Sequence, residues 1–157
     1  MKKTILTFLA AISIFSMKAE TVSQKQAQQQ AQLFFNEAAG RVTPPPKLVY
    51  NGRRLTTDRL FNPFYIYNNS LGGFVIISAE NKAYPILGYS LKDKFDPDGI
   101  GETELALLKS YASEIELVRY DSQPVESAVK AWQDYAGYVD SIIKAKYEAT
   151  DPKISVS

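Results

Sequence analysis

The chain has 157 residues, with 18 Lys and Arg against 17 Asp and Glu, and it contains neither Cys nor His. A charge balance so near zero gives no electrostatic footprint for nucleic acid or an anionic membrane. Without Cys and His the chain lacks Cys–His and Ser–His catalysis, zinc sites built on those ligands, and disulfides. We therefore expect no enzyme activity, no cofactor, no metal and no nucleic-acid partner.

Residues 1–19 have the pattern of a secretory signal peptide. Lys2 and Lys3 precede the apolar run Thr4–Phe15, which is too short to span a bilayer as a stable helix. Ala19 is the predicted last residue before cleavage. Removal of residues 1–19 changes the formal charge of the chain from +1 to −2, because 15 basic residues then remain against 17 acidic ones. We therefore expect a secreted or periplasmic protein that is not attached to a membrane once the signal peptide is removed.

The first predicted element of the mature chain is a helix over residues 21–41. Ser23 is a suitable N-cap and Gly40 a suitable end. Between them, small and aromatic residues recur at helical spacing: Ala27, Ala31, Phe34, Phe35 and Ala38. Three prolines, at 44–46, then predict an extended segment.

Four short strands are predicted next, in the order of a meander. The strands are residues 47–50, 64–67, 74–78 and 84–89, separated by turn signals. Phe74–Ser78 carries no charge, which is typical of a central strand buried on both faces. Pro85 has no amide hydrogen, so it must lie at the start of the last strand or on an edge. The six residues 68–73, with two glycines, predict a hairpin connection.

The last third of the chain predicts two helices and a tail. Leu105, Leu108, Ala112, Ile115 and Val118 share one helical face. A second helix is predicted from Pro124 to Tyr147, with Ser122 or Gln123 as its cap, and residues 151–157 are predicted to be disordered. The whole is expected to be one α+β domain over residues 20–150. It would be a small antiparallel sheet flanked by an N-terminal helix and two C-terminal helices.

Two weaker patterns suggest other functions. The run from Lys94 to Gly99 is similar to a calcium loop, but Lys94 and Leu105 occupy the places of its first and twelfth ligands. A Pro-Asp-Gly turn is the better interpretation. Seven tyrosines could line a sugar- or peptide-binding surface, although a core with polar handles is more typical of them. They are Tyr65, Tyr67, Tyr84, Tyr89, Tyr111, Tyr135 and Tyr138.

The middle of the chain resembles a known family of domains. The matching runs, in order, are Tyr65–Asn68, Gly72–Ser78, Pro85–Ser90, and Phe95-Asp96 with Gly99. In order and spacing they are similar to the pro-domain of secreted bacterial cysteine peptidases of the streptopain and interpain type. They are equally similar to the free-standing streptopain-inhibitor domain, which is a copy of that pro-domain.

The resemblance implies a function by binding. It implies a secreted thiol-protease inhibitor whose partner is a papain-like cysteine peptidase of the streptopain type. The inhibitor would bind beside the catalytic cleft of that peptidase. The resemblance also implies a small antiparallel sheet with packed helices. Alternatives are a truncated zymogen pro-domain, a folding chaperone for such a peptidase, or an extracellular sugar- or peptide-binding module.

The expected peptidase contact is the turn after the last strand, together with the head of the next helix. A rigid, exposed turn loses little ordering entropy on binding. Phe95 is expected to anchor the base of this turn. The candidate contact residues are Asp96, Asp98, Gly99, Ile100, Gly101, Glu102 and Thr103.

Overall fold

A computed structural model describes residues 21–121 and 123–150, with side chains as far as Tyr147. The described chain folds as α+β, as predicted. Its elements are α1 Gln24–Ala39, β1 Lys47–Asn51, a 3-10 turn at Arg53–Leu55, β2 Phe64–Asn68, β3 Phe74–Ser78, β4 Ile86–Ser90, α2 Glu102–Tyr120, α3 Glu126–Gln133 and α4 Tyr135–Thr150. The predicted signal peptide at 1–19 and tail at 151–157 lie outside the described residues.

Helix α1 has the predicted caps, Ser23 and Gly40, but it spans Gln24–Ala39 and is shorter than the predicted 21–41. Ser23 and Gln26 form a capping box: the Gln26 amide donates to Ser23 Oγ at 3.3 Å, and the Ser23 amide to Gln26 Oε1 at 2.9 Å. Gly40 ends the helix at φ 63°, a left-handed conformation that favours glycine. The helix starts after residue 21 because Val22 joins the sheet margin, its amide donating to the Ala79 carbonyl at 2.7 Å.

The sheet is the predicted antiparallel meander, with strand order β1-β2-β3-β4. Strands β2 and β3 are central, and their side chains alternate between two cores. Tyr67 and Val75 face the core shared with α1 and α4. Ile66 and Ile76 face the core shared with α2. The central position predicted for β3 is confirmed, since its register pairs it with β2 on one side and β4 on the other.

The connections follow the turn chemistry of their residues. Gly72 and Gly73 have φ values of 112° and 96°, so the β2–β3 hairpin needs glycine at both positions. Pro85 lies just before the edge strand β4, as expected for a residue without an amide hydrogen. Its carbonyl accepts a hydrogen bond from the Ser78 amide at 2.9 Å. The strand edge therefore begins with a residue that can accept but not donate.

The single helix predicted from Pro124 to Tyr147 is wrong: two helices, α3 and α4, are found. Asp134 interrupts them, with φ −116° and ψ 66°. Its carboxylate accepts from the Gly137 amide at 3.2 Å, so Asp134 ends α3 and caps α4. Helix α3 also starts later than predicted, with Val125 in the N-cap position and no side-chain cap. The cap predicted at Ser122 falls outside the described residues.

Tyrosine hydroxyls join the helices to one another and to the sheet. Tyr67 donates to the Gln24 carbonyl at 2.8 Å, and Tyr135 donates to the Gln30 carbonyl at 2.8 Å. Tyr138 reaches the Ile86 carbonyl of β4 at 3.3 Å. Tyr67 and Tyr135 are also buried. These tyrosines therefore pack their rings in the core and satisfy their hydroxyls with backbone carbonyls, in agreement with the favoured interpretation of the sequence. They are not available to line a binding surface.

Candidate functional site

The loop between β4 and α2 is fixed at its base by the β2–β3 hairpin. The Asn68 side chain clamps the backbone of Phe95: its Nδ2 donates to the Phe95 carbonyl at 2.9 Å, and its Oδ1 accepts from the Phe95 amide at 2.9 Å. The Phe95 ring packs 5.6 Å from the Tyr50 ring and 5.9 Å from the Phe74 ring, measured between centroids. The anchoring role expected of Phe95 is confirmed.

Beyond Phe95 the chain makes the expected tight turn. The Asp98 amide donates to Asp96 Oδ1 at 3.0 Å, and the Gly99 amide donates to the Asp96 carbonyl at 3.3 Å. Gly99 does not use a positive φ, contrary to the expectation for a Pro-Asp-Gly turn. A Cβ there would lie 2.6 Å from Asp96 Oδ2, so a larger residue would have to displace the Asp96 carboxylate.

The other end of the loop is fixed by the start of α2. Gly101 is the N-cap, and its amide donates to Glu104 Oε2 at 3.1 Å. Glu102 and Glu104 lie in the first helical turn, where negative charge interacts favourably with the helix dipole. The loop is therefore held at both ends while its tip remains exposed.

The seven candidate residues are close together, but they do not share one orientation. Ile100 is half-buried and packs against the α2 core, so it supports the loop from below. The other six are exposed: Asp96, Asp98, Gly99, Gly101, Glu102 and Thr103. The exposed tip is consequently polar and acidic.

A recess of about 280 Å³ opens beside this loop, and only Asp96 and Gly99 of the candidate residues line it. We call it the Phe95 recess. Its other lining residues come from β3, β4, the loop and α2: Phe74, Ile76, Ser90, Asp93, Lys94, Phe95, Glu104, Leu107 and Leu108. Leu107 is the one feature of the sequence that could have indicated this recess, because it is an apolar residue outside the apolar stripe of α2. It is 50% exposed.

A wider, open groove of about 610 Å³ lies at the opposite end of the sheet. It is lined by the 57–58 segment and the C-terminal half of α2, including Glu116 and Leu117. The Glu116 carboxylate accepts from the backbone amides of Thr57 and Asp58, each at 3.4 Å. None of the candidate contact residues lies in this groove.

Residues 21–121 and 123–150 contain neither a cluster of metal-ligating side chains nor a helix that could cross a membrane. No group of three or more acidic side chains in those ranges is arranged to hold a metal ion. In the same part of the chain, no helix is both long and apolar enough to cross a bilayer. The run from Lys94 to Gly99 is organised by the turn hydrogen bonds of Asp96, in agreement with its interpretation as a turn.

Comparison with known proteins identifies the family. A family model described as "Spi protease inhibitor" matches residues 19–115. The chain is 31% identical over 115 residues to Streptopain from Streptococcus pyogenes, and the same holds for Streptopain from serotypes M1 and M28. Those alignments cover 69% of this chain and 28% of each relative, so the chain spans about 28% of the length of the relatives it matches. The chain belongs to the Spi protease inhibitor family.

Proposed function

We propose that the mature protein is a secreted inhibitor of a papain-like cysteine peptidase of the streptopain type. It binds beside the catalytic cleft through the turn and helix head from Asp96 to Thr103. Family membership supports the inhibitory role. Residues 1–19 are removed on export, and residues 20–150 act as the inhibitory domain.

The observation that carries this proposal is the loop fixed at both ends. Asn68 holds Phe95 on one side, and the hydrogen bond from the Gly101 amide to the Glu104 carboxylate holds the other. The tip between them is exposed. A segment already ordered before binding loses little conformational entropy when it docks, and more of its contact energy remains as affinity.

The chain does not supply the chemistry of a cysteine peptidase itself. It contains no Cys and no His, so a thiolate nucleophile and its imidazole base must both come from the partner. We therefore propose a non-enzymatic role in which the domain blocks the partner's site without being turned over.

A second function, folding assistance, is favoured by one specific observation. The relatives are named Streptopain, and this chain matches 28% of their length. A domain that resembles part of a longer peptidase could guide the folding of such a peptidase in trans. Inhibition and folding assistance both require binding, but they act on different states of the peptidase.

The experiment that separates them has two arms. In the first, the purified protein is added to folded streptopain-type peptidase and the hydrolysis of a peptide substrate is followed. In the second, it is present while the denatured peptidase refolds. An inhibitor lowers the activity of the folded enzyme. A chaperone that does not inhibit leaves the folded enzyme active and raises the refolding yield, which would overturn the primary proposal.

A further inference from the structure

The Phe95 recess combines an apolar floor with an acidic rim. We infer, building on the proposed function, that it receives one large apolar side chain of the peptidase and that lysine or arginine residues flank this side chain. The inference concerns the chemistry of the partner surface, whereas the proposed function concerns only that the peptidase is bound and inhibited.

The floor of the recess suits an apolar side chain. Ile76 and Leu108 are buried at 4% and 3% exposure, and the Phe74 and Phe95 rings meet edge-to-face at a centroid distance of 5.9 Å. Leu107 stands at the mouth, 50% exposed, and would lose water on docking. The volume of about 280 Å³ is just below the range of about 300–1,000 Å³ typical of small-molecule sites. The recess therefore has room for one large side chain.

The rim sets the charge of the partner. Residues 91–104 contain five carboxylates and two lysines, a net charge of −3. Asp93, Asp96 and Glu104 line the recess together with Lys94, and Asp98 and Glu102 lie on the exposed loop and helix head next to them. In the described residues the salt bridges join Lys130 to Glu126 and Lys144 to Asp140, so none involves these five groups. Their charge is available to a cationic partner.

Two of these carboxylates are already oriented. Asp96 Oδ1 accepts from the Asp98 amide at 3.0 Å, and Glu104 Oε2 accepts from the Gly101 amide at 3.1 Å. Each carboxylate keeps a second oxygen that is not used in these bonds. Lysine or arginine placed on either side of the inserted side chain would meet charges of fixed position, which favours a specific orientation of the partner.

Two loops at opposite ends of the sheet also differ in the sign of their charge. Because the sheet is antiparallel, the β1–β2 connection lies at the end opposite the hairpin and the acidic loop. That connection carries three arginines, Arg53, Arg54 and Arg59, against Asp58. A basic partner surface would attract the acidic end and repel the arginine end. The proposed contact would therefore be approached in the correct orientation.

A first test uses short peptides as probes and does not require inhibition. The tripeptide Ac-Lys-Phe-Lys-NH2 is titrated into the isotope-labelled protein while amide chemical shifts are followed. We expect saturable shifts at Phe95 and Leu107, and binding at least about tenfold weaker for Ac-Glu-Phe-Glu-NH2. Equal binding of the two peptides, or shifts confined to the groove at Leu117, would overturn the inference.

A second test uses the folded peptidase and two matched variants. Leu107→Arg places a cation in the mouth of the recess, whereas Leu117→Arg makes the same change in the open groove at the other end. We expect Leu107→Arg to weaken inhibition at least about tenfold and Leu117→Arg to leave it unchanged. Both positions are exposed, so both variants should fold, and their far-ultraviolet circular dichroism is checked.

The rim is tested by its charge alone. The triple variant Asp93→Asn, Asp98→Asn, Glu102→Gln should slow association at low salt and flatten its salt dependence, with Glu37→Gln as the control. If the parent inhibits and both recess and rim variants inhibit equally well, the recess inference is wrong while the proposed function stands. If the parent does not inhibit at all, the proposed function fails, and the peptide titration alone decides the recess.

Discussion

Glu80 is a carboxylate enclosed at the margin of the sheet, only 1% exposed and with no partner for its Oε1. Burial raises the pKa of Glu80, and this effect outweighs the nearby charges of Lys82 and Arg119 and a backbone hydrogen bond at Lys82, which lower it. A native pKa above the unfolded value means that the folded state binds the proton more tightly. Its contribution to stability is therefore greatest at low pH and is lost as pH rises through the native pKa.

Glu80→Gln should consequently stabilise the protein at neutral pH. The neutral amide keeps an acceptor oxygen and avoids the cost of a buried charge. We expect a higher free energy of unfolding than the parent at pH 7. The difference should shrink as pH falls towards the unfolded value of 4.5. Urea unfolding across this range measures it, with Glu37→Gln as an exposed control; a variant less stable than the parent at pH 7 would contradict the prediction.

Gly99 and Gly101 provide a matched pair within the contact loop. A Cβ at Gly99 would lie 2.6 Å from Asp96 Oδ2, whereas a Cβ at Gly101 would lie 4.0 Å from Glu104 Oε2. Gly99→Ala should displace the Asp96 carboxylate, cost about 0.5–3 kcal/mol of stability and weaken inhibition. Gly101→Ala should keep the turn. Equal inhibition by the two variants would show that the Asp96 geometry is not used in binding.

At the scale of elements, α4 completes the core between α1 and the sheet. Val139 is fully buried in that core, whereas Val125, at the start of α3, is 55% exposed. Val139→Ala should lower the free energy of unfolding by about 1–3 kcal/mol, because it leaves a cavity. Val125→Ala should change it by less than about 0.5 kcal/mol. Similar losses in both variants, measured by urea unfolding, would contradict the placement of α4.

The contact between α4 and β4 should weaken in alkali. Burial raises the pKa of Tyr138 to about 12, and Tyr84 and Tyr89 add to the shift. The folded state then holds the phenol proton more tightly than the unfolded state, so stability falls as pH rises from about 10 to about 12. Tyr138→Phe should reduce this loss of stability, whereas Tyr120→Phe, at an exposed position, should not. Urea unfolding between about pH 10 and about pH 12 measures the loss, and an equal loss in the two variants would contradict the prediction.

The sequence predicted the elements well where the pattern was local. Ser23 and Gly40 act through hydrogen bonds to near neighbours in the chain, and Pro85 acts through its missing amide hydrogen, so their roles can be predicted from the residue types. The break at Asp134 was missed because the apolar stripe continues across it from Trp132 to Val139. Apolar periodicity alone cannot show that one aspartate breaks the helix. Here the Asp134 carboxylate accepts a hydrogen bond from the Gly137 amide, and the chain starts a new helix.

The candidate site was predicted in part. The turn and its anchor Phe95 follow from the residue types, but the recess depends on tertiary contacts. Phe74 of β3 and Leu107 of α2 lie 33 positions apart and meet only after the sheet and α2 have packed. The inward orientation of Ile100 was missed for the same reason, because a short loop has no periodicity that separates its inner and outer faces.

At the scale of the whole molecule, the folded unit extends beyond the segment that identifies the family. The family match ends at residue 115, within α2. Helices α3 and α4 follow it, and Tyr135 and Val139 of α4 are part of the main core. The face of the sheet opposite α2 is thus covered by this chain's own helices, whereas the β4–α2 loop and the Phe95 recess remain exposed.

The proposed function requires that this domain bind and block a folded streptopain-type peptidase. The most direct measurement is a titration of the mature protein into a fixed, active-site-counted amount of such a peptidase, with residual activity recorded at equilibrium. We expect activity to fall linearly and to reach its minimum at one inhibitor per enzyme, as tight binding requires. Full activity at a large excess of the protein, with the domain shown to be folded, would contradict the claim.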